Sequence, residues 1–406
     1  MIMRVLTRTS ELRRGVCVLG AMTLLTGVGA CQRSGADAAP TAGRPASQSP
    51  ASPLSARVVV SVTPADAAAA VAPNAPVVVT AAGGRLASVT VTSTKGPALT
   101  GRLSPDRTRW TSTGPLAYST RYFVAGTATD ARRSAKQIAS TFTTVTPAAL
   151  SYPSVIPLQG ETVGVGLPVI IYWSHAVKDR VAAERLLKVT SDKPAPGSWH
   201  WMSSTEVHYR PQVFWPAYAH VRVHIGVGGA DLGGGVYGEK SRTIAFTVGS
   251  SIVSQINNAT KTMTVSQDGK PLRTMPVSLG KATTPTSAGT MVVITKYDQK
   301  YFDSASFGVP RGSAEGYYTK VYWDTKYTYG GEYVHAAPWS TGQQGSRNVS
   351  HGCVNVSTAN AEWFYHLSKR GDVVRVVGTE RAVRPGDGFT DWNVSWANWV
   401  AGSALA

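Results

Sequence analysis

The stretch Ser350-His351-Gly352-Cys353-Val354-Asn355-Val356, preceded by Gly331-Glu332-Tyr333-Val334-His335, decides how the rest of the chain is interpreted. The 406 residues include three cysteines, at positions 17, 31 and 353. The first two lie in a segment that predicts export, where one is removed and the other lipidated. Because exported proteins normally pair their cysteines or lack them, a lone thiol at Cys353 beside two histidines suggests a nucleophile.

Residues 1–30 have the shape of a bacterial signal peptide. Four arginines precede an apolar run at 16–30, which is too short to span a bilayer comfortably. The sequence Val28-Gly29-Ala30-Cys31 resembles the lipobox of bacterial lipoproteins, in which the cysteine is acylated and becomes the new N-terminus. This resemblance implies that Cys31 anchors the protein in the cell membrane. An ordinary signal peptide cut near Ala30 and an uncleaved anchor are the alternatives, and each alternative predicts export.

Residues 31–56 are predicted to be a flexible tether, because they consist mostly of Ala, Ser, Pro, Gly and Thr and cannot bury a core. The formal net charge of the chain is +17. No cluster of Lys and Arg with interleaved aromatics occurs, and export argues against a nucleic-acid partner. Attraction to a polyanionic cell envelope and simple solubility account for the charge equally well.

Two similar β-rich segments follow the tether. Residues 57–147 contain short runs of β-branched residues separated by turns, a pattern typical of immunoglobulin-like sandwiches. Residues 148–249 repeat it, and Pro76-Val-Val-Val is echoed by Pro168-Val-Ile-Ile171. Aromatics such as Trp199, Trp201 and Trp215 are interpreted as core residues rather than a sugar platform. We therefore predict a mainly β protein with two tandem sandwiches that act as rigid spacers.

Residues 250–377 are predicted to form a different β-rich domain with one helix after Cys353. The pair Asp268-Gly269 between alternating runs predicts a hairpin. The helix begins at Ser357 or Thr358 and ends before Gly371. The tail, residues 378–406, is rich in tryptophan. We expect it to dock against a neighbouring domain, for example the second sandwich.

Acyl transfer through a thiol requires a base, a group that orients the base, and donors for the oxyanion. His335 lies 18 positions before Cys353, on a predicted strand whose following loop can return alongside. His351 lies two residues before Cys353, so both side chains share a face of an extended strand. The ten residues before Cys353 contain no carboxylate, so a backbone carbonyl such as that of Ala336 is the natural partner of His335. Gly352 is expected to leave its own amide and that of Cys353 free to donate.

His335, a spacer, and Ser350-His351-Gly352-Cys353-Val354-Asn355 together resemble the signature of L,D-transpeptidases of the YkuD type. The likeness spans about residues 251–377 and includes Pro276–Gly280 and Pro285–Gly289 as landmarks. The lipobox, the two sandwiches and the tryptophan-rich tail resemble the actinobacterial branch of this family.

The resemblance implies a cysteine acyltransferase of peptidoglycan that uses no cofactor. Cys353 attacks the L-centre carbonyl of diaminopimelate in a tetrapeptide stem and releases D-Ala. The side-chain amine of another stem then accepts the acyl group, which gives a 3→3 cross-link. Carbapenems, which mimic the acyl donor, are expected to acylate the same thiol.

The resemblance also implies roles for surrounding residues. His335 is the base, His351 and Ser350 line the site, and Asn355 holds the loop by hydrogen bonds. A tyrosine donates to the oxyanion, and Tyr317 is the match, although adjacent Tyr318 leaves the assignment open by one residue. Residues 297–316 resemble a flap over the site. Phe302 and Trp339 border the substrate channel.

Other interpretations remain open at this point. The same residues serve an L,D-carboxypeptidase that gives the acyl group to water, and the sandwiches alone could make an inactive wall-binding scaffold. Cys353 could be an inert buried thiol. A zinc site formed by His335, His351 and Cys353 lacks a fourth ligand and the spacing of a zinc module, so no metal is predicted.

Overall fold

The computed structural model describes residues 57–406, which form a mainly β protein. The predicted signal peptide, the tether up to residue 56 and the lipidation site Cys31 lie outside the described residues. Between residues 57 and 406, no helix is long and apolar enough to cross a membrane.

The N-terminal part of the described chain is a sandwich of two four-stranded sheets. Its strands are β1 (Val59–Thr63), β2 (Ala68–Val71), β3 (Val78–Ala82), β4 (Gly84–Ser93), β5 (Gly101–Leu103), β6 (Arg109–Ser112), β7 (Arg121–Asp130) and β8 (Ala135–Thr144). One sheet has the order β1-β3-β6-β5 and the other β2-β8-β7-β4. Alternate inward residues, among them Leu86, Val91 and Phe142, form a separate hydrophobic core.

A second sandwich follows, built in the same way. Its elements are β9 (Ala149–Ser151), β10 (Pro153–Ile156), β11 (Thr162–Val163), β12 (Val169–Trp173), α1 (Arg180–Glu184), β13 (Leu187–Ser191), β14 (Gly197–Trp201), β15 (Glu206–Pro211), β16 (His220–Ile225), β17 (Val236–Gly238) and β18 (Arg242–Val248). The sheets have the orders β10-β12-β15-β14 and β11-β18-β16-β13, and β9 pairs with β17. Trp199, Trp201 and Trp215 are buried in its core, as the sequence predicts.

The remaining residues form a six-stranded and a four-stranded sheet that pack face to face. Their elements are β19 (Ile252–Asn257), β20 (Thr262–Gln267), β21 (Lys270–Pro276), β22 (Ser287–Val292), β23 (Thr295–Asp303), β24 (Tyr318–Lys326), β25 (Tyr333–Ala336), β26 (Val354–Val356), α2 (Thr358–Leu367), β27 (Val373–Val377), β28 (Arg381–Ala382) and α3 (Trp396–Val400). The sheet orders are β21-β20-β19-β27-β22-β28 and β23-β24-β25-β26. Short 3-10 turns lie at Ser304–Phe307, Pro338–Ser340 and Asp391–Asn393.

Local chemistry explains several of these elements. Asp268 and Gly269 both have positive φ, 51° and 80°, as the tight turn between β20 and β21 requires. Helix α2 follows Cys353 as predicted, and the hydroxyl of Ser357 caps it by accepting from the amide of Asn360. The sequence did not predict α1 and α3, because five residues are too few to show helical periodicity.

The C-terminal tail packs on the second sandwich, as expected from its tryptophans. The indole of Trp392 donates to the carbonyl of Gly166 at 2.7 Å, and that of Trp399 donates to Ser198 at 2.9 Å. The Arg210 guanidinium of β15 lies over both rings, at 4.9 Å and 4.5 Å from their centroids. Burial of these rings therefore holds the tail in place.

Candidate active site

Two short parallel strands bring the residues of the sequence motif together. β25 and β26 pair so that His335 lies beside Asn355 and Val334 beside Val354. Cys353 directly precedes β26, so the same register places it next to Tyr333. Because alternate residues of a strand share a face, Cys353 and His335 lie on one face as diagonal neighbours.

The imidazole of His335 is buried and has a defined orientation. Its Nδ1 donates to the carbonyl of Ala336 at 3.0 Å, which confirms the backbone partner that the sequence predicts. Burial lowers the pKa of His335 to about 4, although the Ala336 carbonyl and the Asn355 side chain both favour the protonated form. The neutral ring therefore keeps its Nε2 as a proton acceptor at pH 7.

The thiol of Cys353 is half-buried, and Cys353 is a free cysteine. Its Sγ lies 3.7 Å from the carbonyl oxygen of Gly331. Burial raises the pKa of Cys353 to about 12; the amide of Tyr333 opposes this rise, and the negative charges of Glu332 and Asp324 add to it. The resting sulfur is therefore a protonated thiol.

The turn before Cys353 is closed by the hydroxyl of Ser350. This hydroxyl donates to the carbonyl of Cys353 at 2.6 Å and accepts the amide of Gly352 at 3.1 Å. The expectation that the Gly352 amide is free for an oxyanion was therefore wrong, because the side chain of Ser350 occupies it. Gly352 itself has a φ of 133°, which side chains rarely adopt, so the turn requires glycine.

Asn355 is buried and ties the strand to two neighbouring segments. Its side-chain amide donates to the hydroxyl of Ser340 at 3.0 Å. Its backbone amide donates to the carbonyl of Ser278 at 2.9 Å, and the Ser278 amide donates back to Asn355 at 3.0 Å. These bonds fix the loop between β25 and β26, which is the position that the family resemblance implies for Asn355.

His351 lies in a charged cluster beneath the β23–β24 hairpin. Its Nε2 is 3.4 Å from the ammonium of Lys281 and 3.6 Å from a carboxylate oxygen of Glu315. Lys281 also forms an ion pair with Glu315. Sequence reasoning missed both partners, because they lie 70 and 36 positions before His351 with no motif around them.

The structure distinguishes the two adjacent tyrosines of the hairpin. The ring of Tyr317 is half-buried and lies 5.5 Å from the ring of His351. Burial raises the pKa of Tyr317 to about 12, and the charge of a Cys353 thiolate contributes to the rise. Tyr318 is exposed and stacks on Tyr301 instead. Tyr317 is therefore the tyrosine on the thiol side.

Two further aromatic rings flank His335. The ring of Phe302 lies 5.1 Å from the imidazole, and that of Trp339 lies 6.0 Å from it. Phe302 also contacts Tyr333, at 4.9 Å between ring centroids, whereas Trp339 is mostly exposed. The two rings thus flank the imidazole.

A buried carboxylate to which the motif assigns no role lies under the turn. Glu332 accepts from the amide and hydroxyl of Ser287, at 3.0 Å and 2.9 Å, and pairs with Arg381. A Cβ on Gly352 would lie 3.7 Å from this carboxylate. Glu332 is adjacent to the motif in sequence, but its burial depends on residues far along the chain. Among residues 57–406, no group of His, Cys, Asp or Glu side chains is arranged to hold a metal ion.

Comparison with known proteins gives consistent matches. The family model of the L,D-transpeptidase catalytic domain matches residues 251–376, and that of a bacterial Ig domain matches residues 68–231. L,D-transpeptidase 2 of Mycobacterium tuberculosis (strain CDC 1551 / Oshkosh) is 44% identical over 352 residues, which cover 86% of this chain and 85% of that protein. L,D-transpeptidase 5 of M. tuberculosis (strain ATCC 25618 / H37Rv) is 35% identical over 352 residues, 84% of this chain and 76% of that protein.

Two solved structures each match a little over half of this chain. An LD transpeptidase in complex with imipenem is 35% identical and has a TM-score of 0.49, with 56% of this chain and all of that chain covered. An L,D-transpeptidase from Mycobacterium smegmatis is 35% identical and has a TM-score of 0.48, with 56% of this chain and 99% of that chain covered.

Proposed function

This chain belongs to the L,D-transpeptidase family, and we propose that it forms 3→3 peptidoglycan cross-links with Cys353 as nucleophile and His335 as base. One observation carries the assignment of the two residues. A neutral imidazole, oriented by the carbonyl of Ala336, lies on the strand beside the free thiol of a half-buried cysteine and on the same face. This arrangement supplies a nucleophile, a base and a group that orients the base.

The first half-reaction transfers the acyl group to sulfur. As Sγ of Cys353 attacks the L-centre carbonyl of diaminopimelate, the thiol proton moves to Nε2 of His335. The tetrahedral intermediate collapses, the bond to D-Ala breaks, and His335 returns the proton to the leaving amine. A thioester on Cys353 and free D-Ala are the products.

The second half-reaction transfers the acyl group to an amine. The diaminopimelate side-chain amine of another stem attacks the thioester, and His335 takes the proton that this amine loses. The carbon–sulfur bond breaks, and the same proton restores the thiol of Cys353. The acceptor must enter in its neutral form or lose its proton on binding, because an ammonium has no lone pair to attack with.

Stabilisation of the oxyanion is assigned to two donors. The hydroxyl of Tyr317 stays protonated at physiological pH, since its pKa is raised to about 12, and it can therefore donate to developing negative charge. The amide of Cys353 is the second candidate. The amide of Gly352 is not included, because Ser350 occupies it.

The surrounding residues position the substrate and the flap. Phe302 and Trp339 offer apolar walls on either side of His335. The Lys281–Glu315 ion pair and the contacts of His351 with both side chains connect the flap to the segment that carries the thiol. Asn355 keeps the loop between the two catalytic strands in place.

Inhibitors and membrane location follow from the same chemistry. Carbapenems place a strained acyl group where the stem carbonyl lies, so they should acylate Cys353. Action on the cell wall implies an exported protein, and a lipid anchor at Cys31, preceded by a signal peptide at 1–30, would hold it at the membrane. In that arrangement the catalytic domain, 250–377, would be held away from the bilayer by the tether to residue 56 and by the domains proposed at 57–147 and 148–249. The tail at 378–406 would stabilise the position of the catalytic domain.

Product analysis with purified disaccharide-tetrapeptides tests the function. The wild-type protein should yield dimers with 3→3 bonds and free D-Ala, whereas Cys353→Ala should yield neither. His335→Asn should lose activity with an unchanged melting temperature. Tripeptides without dimers would identify an L,D-carboxypeptidase instead, and turnover by Cys353→Ala would move the chemistry elsewhere.

A further inference from the structure

The outer face of the β23–β24 hairpin carries a row of exposed tyrosines. In the register of this hairpin, Tyr301 pairs with Lys320 and Asp303 pairs with Tyr318, so all four lie on one face. Tyr322 shares it, because it lies two residues from Lys320. Tyr301, Tyr318 and Tyr322 are 54%, 55% and 45% exposed. A solvent face of an antiparallel pair is normally polar, so three exposed aromatic rings need a reason.

These tyrosines are held in a fixed arrangement, and we call Tyr301, Tyr318 and Tyr322 the tyrosine face. The rings of Tyr301 and Tyr318 stack at 4.9 Å with an interplanar angle of 11°. The Arg311 guanidinium lies 4.3 Å from the Tyr318 centroid, and Asp303 fixes it through two hydrogen bonds of 2.9 Å and 2.5 Å. Rigid aromatic side chains lose little entropy on binding, which favours their use in recognition.

The opposite side of the same hairpin covers the active site. Tyr317 turns its ring toward His351, whereas the next residue, Tyr318, faces outward. The tyrosine face is therefore separated from the thiol by the thickness of one hairpin, about half of the ~10 Å spacing between packed sheets. A ligand on this face lies close to any substrate bound at Cys353.

The length of the stem peptide limits how far the attached sugar can lie from the thiol. In the reaction proposed above, the stem joins the sugar through L-Ala, D-Glu and diaminopimelate, and the third residue reacts. Three extended residues span about 10 Å, and the side-chain linkage of D-Glu lengthens the stem by a few ångströms, so the stem keeps the sugar in the neighbourhood of the thiol. A stem that leaves the site around the edge of the flap brings its sugar to the outer face of the hairpin.

We propose that the tyrosine face binds the glycan strand from which the donor stem extends, an inference that rests on the proposed function. Pyranose rings present flat faces of C–H groups that stack on aromatic rings, and their hydroxyl and acetamido edges pair with phenols. Lys320, close to Tyr322 at 5.4 Å from its ring centroid, supplies a positive charge for the carboxylates of neighbouring stems. Because the three tyrosines lie along two paired strands, the tyrosine face suits an extended polymer of sugars better than a single peptide side chain.

Binding of polymer by the full chain with Cys353→Ala tests the proposal without turnover. Cosedimentation is measured with intact sacculi and with insoluble peptide-free glycan prepared by amidase digestion. Replacing all three tyrosines by alanine should weaken binding to both materials by at least about tenfold, since two or more stacking contacts are lost. The matched triple phenylalanine variant keeps the rings and should bind within about twofold of the parent, since the stacking contacts remain.

The same triple variants with Cys353 restored give the second readout. Dimer formation from soluble disaccharide-tetrapeptides should be unchanged, because a single disaccharide does not need the polymer contact. Failure of the wild-type protein to form dimers would refute the proposed function, whatever the glycan result. Unchanged glycan binding by the alanine variant would show that the tyrosine face is not the glycan site. Binding to sacculi without binding to peptide-free glycan would also refute the proposal, because it would identify the stem peptides as the ligand. Equal loss of soluble turnover would show a role in folding the flap only.

Discussion

The reactivity of Cys353 in the free enzyme should increase continuously as the pH is raised from 5 to 9. Burial raises the pKa of the thiol from 9.0 to about 12 and lowers that of His335 from 6.5 to about 4. Both shifts favour the neutral forms. At pH 7 the site therefore holds a thiol and an imidazole, not a thiolate and an imidazolium.

The size of the effect follows from the two pKa values. A rise of about three units makes the thiolate about 4 kcal/mol less favourable than that of an ordinary cysteine. The thiolate fraction at pH 7 is then about 10⁻⁵, compared with about 10⁻² for a thiol with a pKa of 9.0. Alkylation by a neutral reagent should consequently be slow and should rise about tenfold for each pH unit.

Intact-mass measurement of iodoacetamide alkylation between pH 5 and 9 checks this prediction. The control is His335→Gln, which should show the same slope, since the imidazole does not hold the resting sulfur as a thiolate. A plateau of the wild-type rate between pH 5 and 8 would refute the reasoning, because it would reveal a depressed thiol pKa and a resting ion pair.

Three further predictions concern individual side chains. Tyr317→Phe should lower kcat for soluble muropeptides by roughly 10²-fold, whereas Tyr318→Phe should leave kcat unchanged. Equal effects of the two substitutions on kcat would exclude an oxyanion-stabilising role for Tyr317. Ser350→Ala removes two hydrogen bonds of the turn and should lower the free energy of unfolding, measured by denaturant titration, by about 1–3 kcal/mol. An unchanged denaturation midpoint would show that these hydrogen bonds do not stabilise the turn. Burial alone would lower the pKa of His208, but the charges and hydrogen bonds of Asp391 and Glu206 together outweigh burial and raise the pKa from 6.5 to about 9. This stabilisation, about 3 kcal/mol, is complete below pH 6.5 and is lost as the pH rises through 9. The difference in melting temperature between the wild type and His208→Gln should therefore narrow from pH 6 to 9. A difference that stays constant would exclude a charged His208–Asp391 pair.

The features that sequence predicted are those fixed by local chemistry. The spacing of His335 and Cys353 identified both residues, and the lack of a nearby acid before the thiol identified the carbonyl of Ala336 as the partner of the imidazole. The turn at Asp268-Gly269 and the helix after the thiol follow from side chains within a few positions. Such signals can be read along the chain because the interacting groups are close in sequence.

The features that sequence missed depend on contacts between distant segments. Glu332 is buried only because Ser287 and Arg381, 45 and 49 positions away, satisfy its oxygens. The amide of Gly352 is occupied because the rotamer of Ser350 points back along the turn, which no pattern of residue types specifies. Both cases concern hydrogen bonds whose partners are chosen by tertiary structure.

The central claim is that a single accessible sulfur at position 353 performs the chemistry. Intact-mass spectrometry of the full chain after incubation with a carbapenem, followed by peptide mapping, tests it most directly. The wild-type protein should gain one carbapenem mass on the peptide that contains Cys353, and Cys353→Ala should gain none. An adduct on the alanine variant, or a folded wild-type protein that remains unmodified, would contradict the account.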